Sequence, residues 1–279
     1  MKARGRIWWW SFGVVMAASS ACAAGGAAGA PADLETAASA GDTQAMYLLA
    51  LQCELGSAGA PDPLAAARWY TAAATAGHAG AQNNLGLLFH GGVGVERSYD
   101  TARRWFERAA DQGSSHAMAN LGVMALYGQG MPQDFARGRD LLTAAAAAGN
   151  ARAMTVLGSA AYEGFGGEVD RVEAARWYAP AAERGAATAQ HRLGLMLLRG
   201  DGVARDEVAG ARWLRAAAEQ GHAGAQHDYG LVLAQGRGVE RDVAAGRAWL
   251  GKAAAQGQPL AAARLAVADG AAPAAPGGR

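Results

Sequence analysis

Histidines, glycine pairs and cysteines are the residues through which this chain could do chemistry, and most of them stand at a fixed spacing. His191 and His227 are 36 residues apart, and His78 and His222 occupy identical GHAGAQ stretches. Imidazoles bind zinc and move protons. Here they come without an HExxH pair and without cysteine partners, so periodic copying accounts for them and no metal site is expected. Gly-x-Gly pairs at 92/94, 128/130, 164/166, 200/202 and 236/238 suggest a phosphate cradle. A dinucleotide loop needs a third glycine and a preceding strand, and none of the pairs has either. There is no GxSxG elbow and no carboxylate pair that breaks the repeat, so no catalytic constellation is visible. The expectation is a chain without cofactor, metal or enzymatic activity.

The elements that carry these residues repeat. Trp69, Trp105, Trp177, Trp213 and Trp249 fall on a period of 36 residues, with Leu141 in the one empty slot. Gly77, Gly113, Gly149, Gly185, Gly221 and Gly257 fall on it without a gap. A period of this size marks an array of small stacked units. Within a unit, Ala189, Leu193 and Met196 have the i, i+4, i+7 spacing of an amphipathic helix, here termed helix A. The Gly-x-Gly pair stops that helix. Asp62, Ser98, Asp134, Asp170, Asp206 and Asp242 then stand where the N-cap of a second helix belongs, and that helix, B, runs from about Glu207 to Gln220 in the fifth unit. No stretch alternates with the period of a strand. The fold class expected is all-α, a superhelical α/α solenoid of antiparallel hairpins. Two local expectations accompany it: the tryptophans provide most of the buried apolar area, and Pro180 kinks or breaks its helix.

The ends differ from the array. Residues 1–23 have a basic start, an apolar run from Ile7 to Ala18 and a small-residue site at Ala21-Cys22-Ala23, the layout of a secretory signal peptide. The apolar run is shorter than the roughly 20 residues that span a bilayer. Export to the periplasm or beyond is expected. Membrane attachment would follow only from a lipid on Cys22 or an uncleaved N-terminus. Residues 24–32 read as a linker and 33–268 as the solenoid: a half repeat at 33–44, six full repeats at 45–260 and a capping helix at 261–268. The tail, 269–279, is of low complexity and expected to be disordered. Cys53 is expected to be an inert core thiol. Without Lys2, Arg4 and Arg6 the balance is 22 basic to 24 acidic residues, and no basic helix with interleaved aromatics occurs, so no nucleic-acid surface is expected.

The assembled pattern, A-x-x-x-LG, G-x-GV-x-x-D, A-x-x-W-[YFL]-x-x-AA-x-x-G, resembles the Sel-1-like repeat (SLR) family, relatives of the tetratricopeptide repeats, over about 235 of the 279 residues. The resemblance implies a scaffold that holds a protein or peptide partner on the concave, helix-A side; a monomer is expected. Such scaffolds occur in bacterial envelope proteins and in adaptors. A cysteine-rich branch of the family is linked to penicillin and cell-wall fragments; this chain lacks those cysteines, and that activity stays as an alternative, as does a cytoplasmic signalling adaptor. Core columns repeat and cannot encode specificity, whereas columns that change chemistry can. Those on helix A are Asn83, His191 and His227; Asn84, Asn120, Arg192 and Asp228; and Tyr127, Glu163, Arg199 and Gln235. They are the candidate partner-binding residues.

Overall fold

Asp206 shows how each second helix begins: its carboxylate accepts a hydrogen bond from the Ala209 N–H at 2.9 Å, satisfying one of the four free donors at a helix start. Asp62, Ser98, Asp134, Asp170 and Asp242 cap in the same way, as their column predicts. In the computed structural model of the chain, residues 31–57 and 60–268 are described. The expected signal peptide, Cys22, nearly all of the linker and the tail lie outside them.

The chain forms two units, divided at Ser114. The first contains α1 (Pro31–Ser39), α2 (Thr43–Leu55), α3 (Pro63–Thr75), α4 (Ala79–Gly91) and α5 (Tyr99–Asp111). The second contains α6 (Ser115–Tyr127), α7 (Phe135–Ala147), α8 (Ala151–Glu163), α9 (Arg171–Glu183), α10 (Ala187–Arg199), α11 (Glu207–Glu219), α12 (Ala223–Gln235), α13 (Val243–Ala255) and α14 (Pro259–Ala268). Within each unit an A helix that is followed by a B helix packs most extensively against it, and less so against the B helix before it, while α14 packs on α13. No strand occurs among the described residues. This is the α/α solenoid expected.

The two glycines of each turn do different work. Gly200 takes the left-handed conformation, φ 73°, and its N–H closes α10 on the Met196 carbonyl at 2.8 Å. Gly202 makes room instead: a side chain there would overlap the Arg171 backbone at the start of the preceding B helix, as one at Gly238 would overlap the Glu207 carbonyl. The residue between the glycines ties the same joint, each time with different chemistry. Phe165 meets Phe135 edge to face at 5.3 Å, Asp201 lies 3.7 Å from Arg171, and Arg237 lies 2.9 Å from Glu207.

Hairpins close on small residues. A methyl group on Gly210 would sit 2.9 Å from the Gly194 carbonyl oxygen and 2.9 Å from Leu198 Cγ, so α10 and α11 approach backbone to backbone. Gly210→Ala gains about 1 kcal/mol of helix propensity but overpacks a contact that cannot yield, at about 1–3 kcal/mol. Gly251 in α13 has nothing within 4 Å of that position. The expected result is a lowered thermal midpoint for Gly210→Ala and a raised one for Gly251→Ala; shifts in the same direction would remove the contact from the explanation.

The tryptophans do not fill the role expected of them. All five are half-buried, and the buried anchor is the residue after that column: Tyr70, Phe106, Leu142, Tyr178 and Leu214 are each at most 1% exposed, and Leu250 is 8% exposed. The reason is geometric. The anchor points into its own hairpin, against the helix-A glycine, so that Gly158 faces the Tyr178 ring and Gly194 faces Leu214. The tryptophan lies one residue round the helix, against the neighbouring hairpin, with an edge in solvent. Nor does Pro180 break α9, which runs its full thirteen residues. Standing in the last turn, it removes one N–H from the Arg176 carbonyl, and the Arg184 N–H still reaches the Pro180 oxygen at 3.3 Å. Cys53 is partly buried in α2, and that burial, with the charges of Asp62 and Glu35, raises its thiol above the usual range, leaving little thiolate.

Candidate interaction surface

Helical pitch puts positions 2, 6, 9 and 13 of each A helix on one stripe. On α8 these are Arg152, Val156, Ser159 and Glu163; on α10 they are Thr188, Arg192, Leu195 and Arg199. The core columns of the same helices face the opposite way, with Ala189, Leu193 and Met196 buried. The stripes are half-buried at the middle and exposed at the end.

In the first unit, Asn83 is buried and its amide donates to Asn84 Oδ1 at 3.1 Å. Asn84 donates in turn to the Tyr70 hydroxyl at 3.1 Å, and that hydroxyl donates to Glu54 Oε2 at 2.5 Å. Burial, reinforced by the Glu54 carboxylate, pushes the Tyr70 hydroxyl well above the usual phenol range, so it stays a donor. Tyr47 stacks on His78 at 4.5 Å between ring centroids.

In the second unit the candidate residues fall into three groups. Asn120 is buried and accepts from Arg152 Nη1 at 2.6 Å. By area Arg152 is exposed, yet enough protein surrounds its guanidinium to lower its pKa through desolvation. The two facts agree for a side chain hemmed in by helices and open to solvent on one side. His191, His227 and Asp228 form the second group. The Asp228 carboxylate meets His191 Nε2 at 2.7 Å and His227 Nδ1 at 2.8 Å. Burial works to raise that carboxyl, but the two imidazoles outweigh it and hold Asp228 below the usual range. His227 is 7% exposed and its Nε2 has no hydrogen-bond partner among the described residues. Tyr127, Glu163, Arg199 and Gln235, each the last residue of its A helix, make up the third group, and all four are exposed. Arg192 reaches towards Glu163 at 4.0 Å, a separation at which an exposed pair adds little stability.

The histidines of the GHAGAQ stretches have a role that sequence reasoning missed. His222 and His78 are N-caps: each Nδ1 accepts from the backbone N–H three residues on, Ala225 and Ala81, at 3.1 Å. The signal was available, since Asp42 and Asn150 fill the same column and cap α2 and α8. The His222 ring also packs on His191 at 4.7 Å. Burial first, and then the nearby charge of His191, lower His222 to a pKa of about 4. No group of three or more metal-ligating side chains occurs among the described residues, and no described helix is long and apolar enough to cross a membrane.

The arrangement is that of an all-α repeat protein whose A helices carry variable columns, a class that generally serves as a scaffold for protein–protein interaction. The Sel1 repeat model matches residues 43–78, 79–114, 115–150, 151–185, 187–222 and 223–258. The chain belongs to the Sel1 repeat family, whose fold is typically non-catalytic. Among solved structures it is similar to a protective antigen present in uropathogenic Escherichia coli strains that displays an SLR fold, at 31% identity and a TM-score of 0.69. That match covers 87% of this chain and 53% of the antigen, so the chain spans about half the antigen's length. It is also similar to a Sel1 repeat protein from Oxalobacter formigenes, at 26% identity and a TM-score of 0.69, covering 80% of this chain and 89% of the other. No curated protein matches the chain.

Proposed function

We propose that the protein is a non-catalytic scaffold of the cell envelope that holds an extended segment of a partner protein on its helix-A face. The observation that carries this reading is the end-of-helix column: Tyr127, Glu163, Arg199 and Gln235 occupy one place in four successive repeats, are exposed, and differ in chemistry. The core does not enclose such a column, so its variation is available for recognition. In the second unit Asn120 and His227 are buried, so they lie beneath the face rather than among its contacts, and Asn83 of the first unit is buried likewise. The triple substitution Tyr127→Ala, Arg192→Ala, Arg199→Ala should reduce recovery of the partner from an envelope fraction by roughly tenfold or more. Its thermal unfolding should stay near wild type. Undiminished capture by a folded triple variant would retire this surface.

Export is part of the same proposal, and it is supported by the basic, apolar and small-residue sequence of residues 1–23. Protein recovered from the envelope should begin at Ala24 when its N-terminus is read by mass spectrometry. A full-length chain confined to the cytoplasm would contradict it.

A further inference from the structure

Charge is unevenly placed on the helix-A face of residues 115–268. Its helices α6, α8, α10, α12 and α14 carry Arg152, Arg192, Arg199 and Arg264 against Glu163 and Asp228. Asp228 is already held by two imidazoles, at 2.7 and 2.8 Å, and Glu163 is shared with Arg192. The face therefore presents positive charge. Arg152 adds a second feature, because its neighbours already lower its pKa by desolvation, and a cation in that state is attracted to a carboxylate more strongly than one in open water. Guanidinium also matches carboxylate geometry with paired N–H donors. Between Arg152 and the end of the stripe the floor is apolar or small, Val156 and Ser159, with the Tyr178 hydroxyl 3.0 Å from Ser159 Oγ. At the outer edge Tyr127 is 49% exposed and its ring lies 5.1 Å from that of Phe165.

From this placement we infer that the helix-A face takes an extended acidic peptide segment, with carboxylates on Arg152 and Arg192 and one apolar side chain against the Tyr127–Phe165 pair. The inference rests on the reading of this face as the binding surface and adds the chemistry of the partner. Carboxylates give the register and most of the on-rate, and the apolar contact contributes affinity that salt does not screen.

The probe is a phage-displayed library of random linear peptides selected on the full chain. Peptides recovered should be enriched in Asp and Glu together with an aromatic or aliphatic residue, and should bind less tightly as salt is raised. Their affinity should fall by about tenfold or more in the Arg152→Glu, Arg192→Glu pair. It should hold in Arg176→Glu, Arg212→Glu, the same charge change on exposed helix-B positions. If the glutamate pair misfolds, Arg152→Gln, Arg192→Gln with a wild-type thermal midpoint takes its place. Basic or uncharged peptides that still lose binding on Tyr127→Ala would overturn the acidic partner and leave the surface standing. Peptides indifferent to every helix-A substitution, or a selection that enriches nothing, would overturn the surface as well.

Discussion

Tyr178→Ala should destabilise the protein by about 3–5 kcal/mol, roughly twice the loss from Trp177→Ala beside it. Tyr178 is completely buried, its ring lies against Gly158, and its hydroxyl is paired with Ser159 at 3.0 Å. Truncation leaves a cavity that two helices cannot collapse into, because Gly158 contributes no side chain to fill it. Trp177 is half-buried and its indole N–H donates to Glu173 of its own helix at 3.3 Å; truncating it exposes surface that was partly wet already. The same contrast applies to Leu214 and Trp213 in the next repeat. At about 2–4 °C per kcal/mol for a chain of this size, the two substitutions separate clearly in thermal unfolding. Repeat arrays need not unfold in one step, so hydrogen exchange in α8 and α9 should be read alongside the midpoint. A larger loss for Trp177→Ala would restore the tryptophan as the anchor.

That reversal shows which parts of the fold a single sequence carries. Features fixed by local chemistry are legible: Asp206 can only be a cap where it stands, and Gly200 takes a backbone angle other residues resist. Neighbouring columns on one helix are harder to rank. Trp177 and Tyr178 recur with the same period, and only the direction of the hairpin contact decides which is enclosed. Joints 30 or more residues apart, such as Arg237 with Glu207 or Asp228 with His191, depend on how hairpins stack, and periodicity does not reveal them. For the same reason the candidate face read from variable columns mixed exposed residues with Asn83, Asn120 and His227, which the stack encloses. His222 was readable as a copy of His78, but its capping bond needed the helix start to be placed to the residue.

Acid should loosen the second unit, and His222 should be the main cause. Its pKa is about 4 in the folded chain against the ordinary 6.5 of a histidine, because burial, His191 and Arg192 all disfavour a charged ring. A folded-state value below the unfolded one means the unfolded chain takes up a proton first. The stabilising contribution is therefore complete above pH 6.5 and is lost as pH falls towards 4. The shift corresponds to about 3 kcal/mol as an upper bound, and to about 1–3 kcal/mol for a side chain that keeps some contact with solvent. Asp228 acts in the same direction at lower pH, since its folded pKa lies below the usual carboxylate value and its contribution disappears as it is protonated. The test uses a substitution the chain itself supplies: Asn150 caps α8 from the position His222 occupies before α12. His222→Asn keeps an acceptor for the Ala225 N–H and removes the titration. Its thermal midpoint should fall much less than that of the wild type between pH 7 and pH 4. Parallel curves for the two proteins would clear His222 and leave the acid response to Asp228.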